Sequence, residues 1–203
     1  MRYQIEEDMQ KHIAALIPVY HPEKGNCTRI IYYGKQERLD KHMIRTVLRD
    51  MVAFYQMDIR LIRKKYGCLL GNRNCLSLPL TPSLILIPFK IRKPIGINDG
   101  AFGYISYFWI QEVDQREGQV IVKLRNGIEV PILESMKCYR QRIIDMNIIR
   151  KQFMANFLTV GEASSAWYDQ TGSISTGSDT SGELVQLAAN LMQLAARAVS
   201  SKS

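Results

Sequence analysis

The stretch VIVKLRNGIEVPI, residues 120–132, decides the fold of this chain more sharply than any other segment. Its first arm alternates, so that three aliphatic side chains share one face of a strand while Lys123 and Arg125 share the other. Asn126-Gly127 favours a type I′ turn, whose twist suits two antiparallel strands. The segment therefore predicts a β-hairpin with one core face and one cationic face.

A helix is predicted directly downstream of the hairpin. Ser135 is placed to cap it, and the helical pattern continues to about Leu158. Arg150 falls on the apolar stripe of this helix, where a charge is normally avoided. Each residue of an α-helix is rotated by about 100° from the one before it, and on this basis the apolar stripe consists of Tyr139, Ile143, Met146, Phe153 and Phe157.

Upstream of the hairpin the sequence predicts strands and one long helix. Apolar residues recur at steps of three and four over residues 37–65 without Gly or Pro, which indicates a helix ended by Gly67, with a kink or break near Gln56–Asp58 as the alternative. β-branched and aromatic residues are concentrated in segments 12–20, 27–33, 84–89 and 102–113, as is typical of strands. The predicted fold class is α+β, a mostly antiparallel β-sheet packed by two long helices.

The end of the chain has a different composition. Residues 161–182 are rich in Ser, Thr, Gly and Asp, which predicts a flexible linker. Residues 183–203 predict an amphipathic C-terminal helix whose Leu stripe packs either on its own domain or on a partner copy; in the second case it supports oligomerisation through Leu184, Leu187, Leu191 and Leu194. The predicted organisation is N-terminal strands and the start of the long helix (1–57), a basic region (58–160), the linker and this helix.

Charge is distributed unevenly along the chain. Residues 58–160 carry sixteen Lys/Arg against eight Asp/Glu, whereas residues 161–203 carry two against four. A localised positive field attracts polyanions such as nucleic acid, although the net charge of +8 would also keep a domain of this size soluble. No apolar run approaches the ~20 residues that span a bilayer, and the first ten residues are acidic and polar rather than signal-like. These features predict a cytoplasmic protein without a membrane partner.

The cations of the basic region form four groups, which we expect to converge into one surface for the sugar-phosphate backbone. Each group alone is also typical of a solvated surface, and cations in a last helical turn complement the helix dipole. The nucleic-acid-binding residues predicted in this way are Arg63, Lys64, Lys65 and Arg73; Lys90, Arg92 and Lys93; Lys123 and Arg125; and Lys137, Arg140 and Lys151.

Signs of enzymatic chemistry are weak. The sequence holds no Gly-rich phosphate loop, no metalloprotease or hydrolase motif, and only three histidines, of which His42 is placed on the long helix. The four cysteines lack metal-ligand spacing and are predicted to be reduced, mostly buried thiols. We therefore predict no enzyme, no metal and no cofactor. An enzyme acting on nucleic acid and an RNA-binding sheet built on the aromatic strand are the alternatives.

The middle of the chain, roughly residues 58–158, resembles the ComK family of competence transcription factors. Two segments of the resemblance are Tyr66-Gly67 followed by Gly71-Asn72-Arg73, and the apolar strand 84–88 followed by the strand 103–110. The most specific segment comprises Asn126-Gly127, Val130-Pro131-Ile132, Ser135 and Ile149-Arg150-Lys151-Gln152-Phe153. The chain departs from the family in a shorter span 74–84, in Phe89 where the family has Thr, and in both terminal regions.

This resemblance implies a transcription activator of competence-type genes that binds AT-rich sites on double-stranded DNA as a homo-oligomer. It also implies control by a proteolytic adaptor, and a role for Arg150 in either a structural pairing or a DNA contact. The position of Arg150 on the apolar stripe favours the structural role. The function predicted from the sequence is thus a DNA-binding transcriptional regulator. The alternative is a protein-interaction or adaptor module that uses the C-terminal Leu/Ala helix.

Overall fold

The computed structural model of the chain describes residues 12–71, 75–97 and 99–170, with side chains up to residue 156. In these residues the fold is α+β, as predicted. The strands are β1 Ile13–His21, β2 Gly25–Tyr32, β3 Glu37–Asp40, β4 Leu78–Thr81, β5 Leu84–Lys90, β6 Phe102–Ser106, β7 Ile110–Arg116, β8 Gln119–Leu124 and β9 Glu129–Ile132. The α-helices are α1 Ile44–Phe54, α2 Ile59–Leu70 and α3 Met136–Gln170.

The larger sheet has six strands in the order β3-β2-β1-β6-β5-β4, and every neighbouring pair is antiparallel. Leu16 of β1 pairs with Tyr104 of β6, and Lys90 of β5 pairs with Phe102 at the start of β6. The carboxyl ends of β1 and β5 therefore meet the amino end of β6 at one end of the sheet. We call this the β5 end, and the candidate site described below is built there.

The smaller sheet, β7-β8-β9, contains the predicted hairpin. Its core face is confirmed, because Val120, Val122 and Leu124 are fully buried. The two sheets are joined through the segment predicted as one strand over residues 102–113. A short 3-10 helix at Tyr107–Trp109 divides this segment into β6 and β7, so its aromatic residues pass from one sheet to the other.

The predicted type I′ turn at the hairpin is wrong. Gly127 has a φ of +85°, but Asn126 does not share the positive φ that this turn requires at both central residues. The Gly127 N–H donates to the Leu124 carbonyl at 2.8 Å, which makes a three-residue loop with glycine in the left-handed position. The Asn126 amide donates to the carbonyls of Tyr32 and Gly34 at 3.0 Å each. A contact with the larger sheet thus accompanies the change of turn type.

The helix predicted over residues 37–65 is three elements in the structure. Residues 37–40 pair with β2 as strand β3, because sheet pairing overrides a helical pattern this short. Gln56, with a φ of +56°, lies in the break between α1 and α2, at the position given as the alternative. Gly67 is buried inside α2, and Gly71, with a φ of +64°, ends that helix.

The larger sheet carries a hydrophobic core on each side. Leu84 and Leu86 of β5 face the first core, which α1 and α2 cover. Ile85 and Phe89 of the same strand face the second core, which the smaller sheet covers. The order of layers is therefore helices, larger sheet, smaller sheet, and it puts α2 and the hairpin on opposite sides.

Helix α3 begins where the sequence predicts. The Ser135 hydroxyl accepts from the Cys138 N–H at 3.3 Å, Tyr139 stacks on Phe89 with ring centroids 5.5 Å apart, and Met146 is fully buried. The helix continues to Gln170, so the predicted end near residue 158 is wrong and residues 161–170 of the predicted linker are helical.

The rest of the predicted linker and the C-terminal helix lie outside the described residues, and so do Leu184, Leu187, Leu191 and Leu194. The chain divides into two compact units, Met1–Leu158 and Thr159–Ser203, and the candidate site belongs to the first. Within the described residues no helix is both long and apolar enough to cross a membrane.

Candidate nucleic-acid interface

Four arginines surround one cavity at the β5 end of the larger sheet. The cavity has a volume of about 700 Å³, and its walls include Ile44, Leu48, Ile59, Phe102 and Tyr104. We call the four side chains that line it the arginine pocket: Arg45, Arg49, Arg60 and Arg63. All four residues are exposed to solvent, so an external ligand can reach them.

Helical spacing explains why these arginines face the same cavity. Arg45 and Arg49 are four residues apart on α1, and Arg60 and Arg63 are three residues apart on α2. Residues at such spacings lie on one face of a helix. The short break between α1 and α2 then allows the two faces to line a common space.

Both helices also begin at the cavity. Arg45 and Arg60 are the second residues of α1 and α2, and neither helix has an acidic residue in its first turn. A helix N-terminus carries a partial positive charge, which favours anions and disfavours cations nearby. At α2 the Asp58 carboxylate already accepts from the Arg60 N–H at 2.6 Å, whereas no side chain caps the N-terminus of α1. Arg45 therefore adds to a positive field at α1 that a bound anion would compensate.

Carboxylates compensate the arginine pocket only in part. Asp50 pairs with Arg49 at 3.2 Å, between side chains that are largely exposed. In the part of the chain that the structure describes, no carboxylate lies within salt-bridge distance of Arg45 or Arg60. Burial raises the pKa of the Tyr104 hydroxyl, while the positive charge of the nearby Arg63 acts in the opposite direction.

Asp99 lines the same cavity, but its carboxylate is occupied by other donors. It accepts hydrogen bonds from the Tyr20 hydroxyl at 2.5 Å, from the Asn26 amide at 2.7 Å and from the Gly96 N–H at 2.8 Å. The Tyr20 hydrogen bond is the largest of several effects that lower the pKa of Asp99. Asp99 therefore holds the adjoining loop and leaves the arginines available to an external anion.

Of the residues predicted from the sequence, only Arg63 belongs to the arginine pocket. Lys64 and Lys65 are exposed on the same helix, with the Lys65 ammonium 5.6 Å from the ring centre of Tyr66. Arg73 lies outside the described residues. The sequence prediction used the right helix but did not include the neighbouring helix that completes the site.

The predicted group at the end of β5 has a mixed role. Arg92 is structural: its guanidinium stacks 3.9 Å from the ring centre of Tyr20 and donates to the Gly100 carbonyl at 2.9 Å and to Asn26 at 2.6 Å. Lys90 is half-buried at the end of the strand, and Lys93 is exposed.

The hairpin cations lie on the other side of the larger sheet from the arginine pocket. Lys123 approaches Glu112 at 4.0 Å, and Arg125 is exposed. Nearby, Arg116 pairs with Asp114 at 2.9 Å and with Glu129 at 3.0 Å. The expectation that all four groups converge into one surface is therefore wrong, because the layer order separates the hairpin from α2.

The cations of α3 are placed as follows. Lys137, Arg140 and Lys151 are exposed on the helix. Arg150 is half-buried, and its guanidinium lies 5.5 Å from the ring centre of Phe108. An arginine can occupy an apolar stripe when its guanidinium makes a cation–π interaction with an aromatic ring in this way.

The predicted binding residues did not include Arg60, and Arg45 and Arg49 were missed altogether. Their spacing of four residues within an amphipathic helix was the available signal, but a single long helix over residues 37–65 hid its significance. In that interpretation nothing marked the start of a helix at Ile44, and the break before Ile59 was only the alternative. The break between α1 and α2 is what brings the two pairs of arginines together.

Other chemistry predicted from the sequence can be located as well. His42 lies before α1 rather than on a long helix, and its ring is 2.7 Å from Asp40. Cys27 is buried, but Cys68 and Cys138 are exposed, so the prediction of mostly buried thiols is wrong. Among the described residues no three His, Cys, Asp or Glu side chains are grouped as metal ligands.

Comparisons with known proteins do not extend this description: no family model, no curated protein and no solved structure matches the chain. The resemblance to the ComK family stays a prediction.

Proposed function

We propose that this protein is a DNA-binding transcriptional regulator that holds the sugar-phosphate backbone in the arginine pocket. The observation that carries the proposal is the convergence on one cavity of four exposed arginines and the N-terminus of α1, which has no side-chain cap. Guanidinium groups bind phosphate oxygens in bidentate geometry, and helix N-termini favour the same anion.

A nucleic acid fits the wider charge distribution better than a small anion does. Lys64 and Lys93 are exposed beside Arg63 and Arg92 in the chain, so positive charge extends past the cavity itself. A duplex presents phosphates in a continuous row, and each neutralised phosphate releases counterions. A surface with several separate cations gains more from such a ligand than from one isolated phosphate.

We infer the type of regulator from the resemblance to the ComK family. By that resemblance the protein would bind AT-rich promoter sites, activate competence-type genes and form a homo-oligomer. A protein that regulates transcription in this way acts in the cytoplasm, where a bacterial chromosome lies, and we include this location in the proposal.

The test compares two double variants that remove the same charge from opposite sides of the molecule. R45Q/R60Q removes two of the four positive charges of the arginine pocket. K123Q/R125Q removes two positive charges from the hairpin. Fluorescence anisotropy with an AT-rich duplex is measured between 50 and 200 mM salt. Because each phosphate contact contributes about 0.9 to the log–log slope, we expect R45Q/R60Q to reduce the slope by about 1.8 and the affinity roughly 50-fold at 0.1 M salt.

A second readout separates binding from damage to the fold. Arg45 opposes the dipole of α1, which has no side-chain cap, so its removal in this double variant is expected to raise the melting temperature by about 1–4 °C while affinity falls. K123Q/R125Q should leave the salt slope within experimental error. Equal losses in both variants, or wild-type binding that is indifferent to salt, would contradict the proposal.

A further inference from the structure

Two isoleucines next to the arginine pocket are almost entirely in solvent. Ile95 is 82% exposed and Ile97 is 103% exposed, and both lie in the segment between β5 and β6. We call residues 93–97 the isoleucine loop. Lys93 and Pro94 in this loop are exposed as well. Single exposed aliphatic residues are common, but two with almost no cover on one short loop are unusual.

The isoleucine loop is held firmly at its base. The Ile95 N–H donates to the Tyr20 hydroxyl at 2.8 Å, and the Gly96 N–H donates to the Asp99 carboxylate at 2.8 Å. The Asp99 N–H donates back to the Gly96 carbonyl at 3.1 Å, which closes the turn. The Arg92 guanidinium stacks on the ring of Tyr20. Hydrogen bonds therefore hold the loop backbone at Ile95 and Gly96 before any partner arrives.

The loop and the arginine pocket share one wall. Asp99, which anchors the loop, and Gly100 both line the cavity. Gly100 approaches α1 so closely that a Cβ built on it would lie 2.9 Å from a methyl group of Ile44, the residue before Arg45. The loop thus adjoins the cavity through Asp99 and Gly100, and a duplex that extends past the cavity on this side would meet Ile95 and Ile97.

We propose that the isoleucine loop is a wedge that enters between neighbouring base pairs of the duplex held in the arginine pocket. Proteins that deform DNA combine these two features, cations on the backbone and an aliphatic side chain that partly unstacks one base step. The cations beside the loop favour this occupant, because they select a phosphate polymer and the interior of that polymer is the apolar stack of its bases. The inference rests on the proposed function.

The geometry also favours a base step over a lipid bilayer. Binding to a membrane surface requires a broad apolar face, such as one side of an amphipathic helix. Here the apolar part consists of two side chains on one short loop, next to a cavity lined by four arginines. A narrow tip of this kind matches the gap that opens at one unstacked step.

The experiment uses the full chain and AT-rich duplexes that carry 2-aminopurine at each adenine position in turn. The fluorescence of 2-aminopurine rises when its base unstacks. The wild-type protein is expected to raise the signal at least twofold at one or two adjacent positions. The I95S/I97S variant should lose this rise and bind roughly tenfold more weakly at 0.1 M salt, with an unchanged salt slope because the arginines are intact.

The matched control is I144S/I148S, which removes two exposed isoleucines from α3. This variant should keep both the fluorescence rise and the affinity. The wedge is overturned if the wild-type protein binds with its full salt slope and unstacks no position, or if I95S/I97S behaves like the wild type.

Sedimentation with vesicles of phosphatidylglycerol and phosphatidylcholine is the second arm. Vesicle binding that I95S/I97S loses, without unstacking of DNA, would assign the loop to a membrane and overturn the wedge. Absence of DNA binding by the wild type would instead remove the proposed function itself.

Discussion

The arginine pocket and the hairpin side of the molecule contain similar numbers of cations, but these cations have different partners. On the hairpin side, Arg116 is paired with two carboxylates at 2.9 and 3.0 Å, and Lys123 faces Glu112. In the pocket, Asp99 is bound by the Tyr20 hydroxyl and other donors instead of by the arginines. The two regions lie on opposite sides of the larger sheet.

This difference shows that the role of a cation depends on which residues it is paired with, and that the number of cations in a region is a poor guide to binding. A cation that is already paired with a carboxylate must lose that partner before it binds a phosphate. Within the described residues Arg45 and Arg60 have no carboxylate at salt-bridge distance and lose little when a phosphate enters, whereas Arg49 has Asp50 as a partner at 3.2 Å. The dipole of α1 acts in the same direction as its arginines. We therefore expect the pocket, and not the hairpin, to control binding of a polyanion.

The largest expected effect comes from removing the pocket completely. The R45Q/R49Q/R60Q/R63Q variant loses four phosphate contacts, so its affinity for an AT-rich duplex should fall by more than about 1000-fold at 0.1 M salt. Anisotropy titrations measure the loss, and circular dichroism verifies that the fold is kept. A loss of less than tenfold in a folded variant would show that the phosphates bind elsewhere.

A smaller effect is expected from releasing a hairpin cation. Glu129 makes two hydrogen bonds with Arg116, whereas Glu117 is exposed at the β7–β8 turn. E129Q removes one of the two carboxylate partners of Arg116, whereas Asp114 stays, and neither E129Q nor E117Q changes the arginine pocket. Both variants should therefore change duplex binding at 50 mM salt by less than about twofold. A clear rise in E129Q that E117Q does not share would show that the hairpin side also binds phosphate.

The smallest effect concerns the pKa of Asp99. Since that pKa is lowered, mainly by the Tyr20 hydroxyl, the hold of Asp99 on the isoleucine loop is complete above its unfolded pKa and is lost as the pH falls through the lowered folded value. Y20F should therefore raise the pKa of Asp99 in a carboxyl ¹³C titration. R45Q/R49Q should leave it nearly unchanged. A rise in R45Q/R49Q as large as in Y20F would show that the pocket arginines are compensated after all.

The sequence predicted those parts of the fold that depend on local pattern. The core face of the hairpin follows from alternation, and the Ser135 cap follows from residue type, so both could be predicted. The turn at Asn126 could not, because its side chain bonds to the distant carbonyls of Tyr32 and Gly34. Local propensity cannot register a partner more than ninety positions away.

The candidate site was harder to predict than the fold. One break between α1 and α2 determines that Arg45 and Arg60 face the same cavity, and apolar periodicity continues through that break. Arg92 was predicted as a phosphate contact, but its stacking on Tyr20 and its hydrogen bonds with Asn26 and Gly100 come from strands that only the fold brings together. Counting cations identifies candidates, and only their three-dimensional partners separate binding residues from structural ones.

The most direct test of this account is to observe the arginine side chains themselves during DNA binding. In the ¹⁵N-labelled intact protein, Nε–Hε resonances of the arginines are followed as an AT-rich duplex is added. We expect the signals of Arg45, Arg49, Arg60 and Arg63 to shift or broaden while those of Arg116 and Arg125 stay in place. Shifts at Arg116 and Arg125 with unchanged pocket signals would contradict the central claim.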